Sequence, residues 1–193
     1  MNFFGKGRLY FRSRQPESDQ SGQLSKLRRE YRQFCESPVV TKGQTDEDFT
    51  ALCAHESVSQ IAVVTDEDGR PCLLVGLKMV ILRDMRFYRL HEIGEMAIVM
   101  RRSPNAEMHI YNKSNVISVV GRGTYHHPHV ASDGLICSNY QSHVMQSLAA
   151  GQVLQAVVLI IEALHTYGPH TPYCEVDKWP VVGSAHTEEE KDA

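Results

Sequence analysis

The stretch VSQIAVVTDEDGRPCLLVGLKMVIL, residues 58–82, decides the fold class of this chain. Two runs rich in β-branched and apolar residues, 58–65 and 71–82, flank the turn sequence Asp-Glu-Asp-Gly at 66–69. Such runs on either side of a short turn predict a β-hairpin. Two further runs of the same kind follow, Phe87 to Met100 and Met108 to Val120. The sequence therefore predicts an antiparallel meander of about four strands.

Helical periodicity flanks the predicted sheet on both sides. Before it, apolar residues recur at helical spacing from Gln23 to Cys35, which predicts an amphipathic first helix. Thr45, followed by three acidic residues, predicts the N-cap of a short second helix that ends near His55. After the sheet, an apolar face from Leu148 to Tyr167 predicts a long helix, which Gly168-Pro169 ends. This order of elements predicts an α+β domain.

Length and composition define the domain organisation and narrow the class of partner. We predict a flexible polar segment at 1–22, one domain at 23–182 and a charged, disordered tail at 183–193. A net charge of −3 gives no field that would attract nucleic acid, and no apolar run is long enough for a membrane span. The five cysteines lack the spacing of a disulfide framework, which predicts free thiols in a reducing cytoplasm.

The segment from Gly121 to Ser147 is irregular and carries the densest set of reactive side chains. A connection of this length inside a compact domain is typical of a functional loop. Cys137 follows the apolar pair Leu135-Ile136 and begins a polar run, so it is placed to be held by the core yet exposed. The alternative is that Cys137 continues the apolar run as a buried core thiol.

The stretch HPHVASDGLIC, residues 127–137, resembles the active-site signature of ubiquitin-conjugating enzymes. That signature runs His-Pro-Asn, an aliphatic residue, a short turn with glycine, then an aliphatic residue and cysteine. The eight-residue step from His129 to Cys137 is kept, and so is the glycine three residues before the cysteine. The flanking order of helix, four-stranded meander, motif and helix also matches.

The resemblance implies a ubiquitin-conjugating-enzyme-like fold: an N-terminal helix, a four-stranded antiparallel meander, an active-site loop and a crossover helix. It implies that Cys137 accepts a ubiquitin-like protein as a thioester from an activating enzyme and transfers it to an amine of a protein target. It implies no cofactor and no metal. By the same resemblance, His127 and His129 are the other site candidates within the motif, and Asn139, two residues after Cys137, is a further candidate by residue type.

The departures from the signature point to a compact, divergent member of the kind seen among bacterial relatives encoded beside activating enzymes. His129 replaces the family's asparagine, which is tied to oxyanion stabilisation and to the shape of the loop, and a histidine can serve either purpose. The chain after the predicted crossover helix has no room for two further helices. Asn139, His143 and Asp177 are candidates by residue type for assisting the attacking amine.

Two other functions compete with catalysis. One is a zinc site formed by His126, His127, His129 and Cys137, but these residues lack the paired ligand spacing that zinc sites use. The stronger rival is a non-catalytic domain of the same fold that binds a ubiquitin-like protein or its activating enzyme. The remaining cysteines predict no chemistry: we expect Cys35, Cys53 and Cys72 in the core, and Cys174 in a loop that leaves room for it to be exposed.

Overall fold

A layer of helices packs against one face of an antiparallel sheet. The computed structural model describes residues 20–36, 42–66, 68–84, 86–101, 107–167 and 172–184. In chain order the elements are α1 (Gln20–Cys35), α2 (Lys42–Ala54), β1 (Val58–Thr65), β2 (Pro71–Asp84), β3 (Arg89–Arg101), β4 (Glu107–Asn112), β5 (Ile117–Val119), β6 (Gly123–Tyr125), α3 (Ser138–Ala149), α4 (Val153–His165), a 3₁₀ turn (Val176–Lys178) and β7 (Val181–Ser184). The predicted α+β class is confirmed.

The main sheet has the order β1-β2-β3-β4 with every neighbour antiparallel, which confirms the predicted meander. The fourth predicted strand, however, is divided. β4 ends at Asn112, and β5 pairs with β6 in a separate two-stranded hairpin. β7 pairs with the first residues of β3, beyond the point where β4 ends.

Register aligns the apolar residues of the sheet in cross-strand rows on the face that the helices cover. One row joins Leu73, Met100 and Met108, and the next joins Val75, Ile98 and Ile110. All six belong to the buried core, together with the apolar face of α4, whose buried residues include Val157, Ile160 and Leu164. At about 1.5–3 kcal/mol for each large side chain removed from water, these rows are a main source of stability.

The helices before the sheet differ from prediction at one cap. α1 agrees with the predicted first helix, but α2 begins at Lys42, so the predicted N-cap at Thr45 is wrong. Thr45 lies inside α2 and is 5% exposed. Asp46, predicted to favour the helix dipole, instead forms a two-bonded ion pair with Arg32 of α1. A tertiary contact between two helices decides the position of these residues.

The helical part after the candidate loop is two helices, where the sequence predicted one long helix. Leu148 belongs to α3, and Gly151, with a φ of 81°, separates α3 from α4. The Gly151 N–H donates to the Leu148 carbonyl at 3.1 Å, which closes the end of α3. The first turns of α3 are polar, so apolar periodicity did not reveal them.

The C-terminal segment of the domain extends further than predicted. β7 includes Gly183 and Ser184, two residues that the prediction assigned to the disordered tail. At the other end, α1 begins inside the segment predicted as flexible, at Gln20. The rest of both predicted segments, and the predicted stop at Gly168-Pro169, lie outside the described residues.

Two of the five cysteines, Cys35 and Cys72, are buried as predicted for core thiols. Cys137 is also buried, which agrees with the alternative of a core thiol and not with the exposed placement. Cys53 is exposed, so its predicted place in the core is wrong, and Cys174 is buried rather than exposed in its loop. Cysteine is small enough for either environment, and neighbouring elements decide which one it occupies.

Candidate active site

The loop from His126 to Cys137 lies along the free edge of β4. The Ile110 N–H donates to the Gly134 carbonyl at 2.8 Å, and the His109 Nδ1 atom bonds the Asp133 carbonyl at 2.9 Å. Further along the strand, the Asn112 N–H donates to Nδ1 of His126 at 3.0 Å. The loop therefore pairs with an edge that would otherwise expose unpaired backbone groups.

Gly134 is required at the closest approach of the loop to β4. Its φ is 88°, in the left-handed region that side chains rarely adopt. A Cβ atom there would lie 3.2 Å from the Ile110 carbonyl oxygen and 3.2 Å from Cβ of His109. The glycine of the sequence motif thus sets the contact that holds the loop on the strand.

Backbone hydrogen bonds inside the loop bring its two ends together. The Ala131 N–H donates to the Leu135 carbonyl at 2.8 Å, which closes the turn around Gly134. The Cys137 N–H donates to the His129 carbonyl at 2.9 Å. Val130 and Ile136 point into the core, with 0% and 1% exposure. The spacing between His129 and Cys137 is therefore the length of a closed, anchored turn.

His127 connects the loop to the end of α4. It is 0% exposed, its Nε2–H donates to the Leu164 carbonyl at 3.0 Å, and its Nδ1 accepts the His129 N–H at 3.1 Å. Burial, aided by the neighbouring His129, lowers the pKa of His127 to about 3. The ring is therefore neutral at pH 7, and with both nitrogens engaged it braces the loop.

The His129 ring lies between two aromatic neighbours. Its centroid is 6.1 Å from that of His127 and 5.6 Å from that of Tyr167, which follows α4. The side chain is 7% exposed. The sequence left two roles open for His129, stabilisation of the oxyanion and bracing of the loop. These contacts agree with bracing and do not test the oxyanion role.

Charged residues from the turn after β2 and from the C-terminal segment contact Tyr167. The Arg86 Nη2 atom donates to the Tyr167 hydroxyl at 3.0 Å, and that hydroxyl donates to Glu175 at 3.2 Å. Burial and the Glu175 carboxylate raise the pKa of Tyr167, although the Arg86 guanidinium opposes them. Arg86 also pairs with Asp84, which is 1% exposed.

Cys137 is the N-cap residue of α3. Its carbonyl accepts the Tyr140 and Gln141 N–H groups at 3.2 and 3.3 Å, while its thiol makes no capping hydrogen bond. The residue is 7% exposed. Its sulfur thus lies at the helix end whose unpaired N–H groups and dipole favour an anion.

The other candidates are less closely tied to the cysteine. Asn139 is the second residue of α3, and its side chain lies outside what the structure describes. His143, further along α3, and Asp177, in the 3₁₀ turn, are both exposed. Between described residues, no hydrogen bond joins either of them to Cys137.

Sequence reasoning missed the two polar residues that position the loop from outside. Tyr167 was assigned to the apolar face of a helix, but α4 ends at His165, and the Tyr167 ring packs against His129. Asn112 is 5% exposed, and its Nδ2 donates to the Ile93 and His126 carbonyls at 2.6 and 3.0 Å. Asn112 was placed inside a predicted strand that ran to Val120, so its role was not recognised.

The described residues contain no group of three or more histidine, cysteine, aspartate or glutamate side chains arranged to hold a metal ion. None of their helices combines the length and apolar character needed to cross a bilayer.

Comparisons with protein-family models, with curated proteins and with solved structures returned no match to this chain.

Proposed function

We propose that the chain has a ubiquitin-conjugating-enzyme-like fold and carries a ubiquitin-like modifier as a thioester on Cys137. One observation supports this above the others: three distinctive positions of the 127–137 motif, His127, His129 and Gly134, each have a use in presenting the cysteine. His127 braces the loop, Gly134 seats it on β4, and the His129 carbonyl holds the Cys137 backbone. The spacing that resembles the family signature is thus a geometric requirement of this loop.

The proposed reaction consists of two acyl transfers. The Cys137 thiolate attacks the thioester carbonyl that joins the modifier to the activating enzyme, and the activating enzyme's thiolate leaves. An amine of the target then attacks the new thioester carbonyl, the Cys137 thiolate leaves, and the amine proton passes to a base or to water. Each transfer passes through a tetrahedral oxyanion that the site must stabilise.

Two groups near Cys137 are suited to that stabilisation. The N–H groups of Ser138 and Asn139, the first two residues of α3, precede the first N–H that bonds the Cys137 carbonyl and lie beside the N-cap residue. His129 is the residue whose carbonyl accepts the Cys137 N–H, and its imidazole is a hydrogen-bond donor. We assign the α3 amides to the oxyanion, with His129 as a second donor.

The low exposure of the two key side chains favours a second candidate, a non-catalytic module that binds a ubiquitin-like protein or its activating enzyme. Cys137 and His129 are each 7% exposed, less than an attacking thiol needs in contact with a partner protein. Catalysis therefore requires a small movement of the loop or of α3 when the activating enzyme binds.

A loading assay separates the two candidates. The protein is incubated with the cognate activating enzyme, a ubiquitin-like protein and ATP, and examined on a non-reducing gel. We expect a band at the summed mass that disappears with thiol reductant and is absent in Cys137→Ala. Cys53→Ala, which removes an exposed thiol, and Cys174→Ala, which removes a buried one, are matched controls that should load normally. Binding of the modifier without a reducible band supports the binding module instead.

The first helix offers a test of how the activating enzyme docks. Arg28 is half-buried, with its guanidinium 5.6 Å from the centre of the Phe49 ring, whereas Arg29 is exposed. Reversing the charge at Arg29 therefore changes the surface of α1 without disturbing the contact between α1 and α2. If α1 docks the activating enzyme, Arg29→Glu slows loading by about threefold to tenfold, because rim charges act chiefly on association. Unchanged loading kinetics places the docking surface elsewhere.

A further inference from the structure

The end of β2 and the residues after α4 meet beside the candidate loop. Arg83 forms a parallel bridge with Thr166, and the His165 Nδ1 atom bonds the Ile81 carbonyl at 3.2 Å. These contacts hold the chain directly after α4 against β2. Tyr167, the next residue, therefore lies where its ring contacts both Arg86, just after β2, and His129.

A buried carboxylate fixes the arginine that faces Tyr167. Asp84 is 1% exposed and accepts Nε and Nη2 of Arg86, each at 3.1 Å, as well as the Arg86 backbone N–H at 3.0 Å. Burial disfavours the Asp84 anion, but these bonds outweigh it and lower the pKa of Asp84. The guanidinium is thus held in one orientation by a planar, two-bonded pair.

Arg86 in turn fixes the Tyr167 ring at two points. Its Cζ lies 4.7 Å from the centre of the ring, and its Nη2 donates to the hydroxyl at 3.0 Å. The hydroxyl donates to Glu175 at 3.2 Å. Contact with both the face and the hydroxyl restricts rotation of the ring about either side-chain torsion.

We infer that Tyr167 is a positioning residue that sets the orientation of the His129 imidazole for acyl transfer, with its own orientation set by Arg86. The two ring centres are 5.6 Å apart at 47°, a packed aromatic contact. This inference rests on the proposed function, in which His129 donates to the oxyanion. A donor contributes to such a step only when it is oriented before the charge develops.

The experiment compares three tyrosine variants with the wild-type protein. Tyr167→Leu removes the ring, and Tyr167→Phe keeps the ring but loses both hydroxyl bonds. Tyr173→Leu is the matched control, because Tyr173 is a 43% exposed tyrosine in the following segment. The imidazole carbon-bound protons of His129 are observed by NMR and assigned with His129→Gln. Thioester loading and discharge to free lysine are then timed for each variant.

We expect the His129 signals to shift or broaden in Tyr167→Leu and to stay near their wild-type positions in Tyr167→Phe and Tyr173→Leu. Loading and discharge should both slow by about tenfold in Tyr167→Leu, since both pass through an oxyanion, and recover to within about threefold in Tyr167→Phe. Thermal unfolding of each variant shows whether the fold is retained.

The outcomes distinguish this inference from the proposal beneath it. Unchanged His129 signals in a folded Tyr167→Leu variant overturn the inference, and so do shifted signals with unchanged rates. A wild-type protein that never loads overturns the proposed function, and the NMR comparison then decides alone whether Tyr167 orients His129.

Discussion

Two neighbouring stretches after β4, the β5–β6 hairpin and the loop from His126 to Cys137, are held in opposite ways. The hairpin is largely exposed: Val120 at its tip is 102% exposed, and a Cβ atom on Gly121 would meet nothing within 4 Å. The loop is bonded to β4, α4 and its own other end, and its glycine touches backbone. Position after β4 alone therefore does not decide how a segment is held, and the segment that carries the proposed site is the one bonded to several elements.

The sharpest test of this comparison uses one substitution at two glycines. Gly134 and Gly121 both have positive φ, 88° and 75°. In each case alanine adds backbone strain of about 1–2 kcal/mol. Only at Gly134 does the new Cβ also press on Ile110 and His109, which adds about 1–2 kcal/mol for overpacking.

We therefore expect Gly134→Ala to lower the free energy of unfolding by about 3 kcal/mol and Gly121→Ala by about 1 kcal/mol, measured by urea denaturation. Gly134→Ala should also slow thioester loading, because the loop must move away from β4, whereas Gly121→Ala should load normally. Equal losses of stability at the two sites would show that the contact with β4 is not needed.

The next test concerns His127, whose burial makes the loop sensitive to acid. Its folded pKa is about 3, below the usual unfolded value of about 6.5, so the unfolded state takes up the proton first as the pH falls. The stability that depends on neutral His127 is complete above pH 6.5 and declines as the pH falls toward 3. The decline approaches about 1.4 kcal/mol for each pH unit.

Removal of the titrating ring should remove that decline. Between pH 6 and pH 5, the wild-type free energy of unfolding should fall by about 1 kcal/mol more than that of His127→Gln. His143→Gln, at an exposed histidine of α3, is the control and should keep the wild-type slope. An unchanged slope in His127→Gln would mean that folding does not lower the pKa of His127.

The comparison also explains which features were predictable from the sequence. The meander followed from strand-like runs and turns, because these patterns are local. The motif spacing located the loop and Cys137. Its supports were not visible, because Tyr167 and Arg86 are 81 residues apart and meet only through the packing of β2 beside the end of α4. The burial of Cys174 and the exposure of Cys53 depend on tertiary packing in the same way.

The smallest expected effect lies at the tip of the exposed hairpin. Val120 is fully exposed, so Val120→Thr removes no buried contact and should change the free energy of unfolding by less than about 0.5 kcal/mol. Loading on Cys137 should also stay at the wild-type rate, as judged by the non-reducing gel. A matched change in the loop, Val130→Thr, places a hydroxyl at a site that is 0% exposed and should cost about 1–3 kcal/mol. If Val120→Thr slowed loading while stability was unchanged, the hairpin would belong to the surface that meets the activating enzyme or the modifier. The number of elements that hold a segment would then no longer distinguish the proposed site from the neighbouring hairpin.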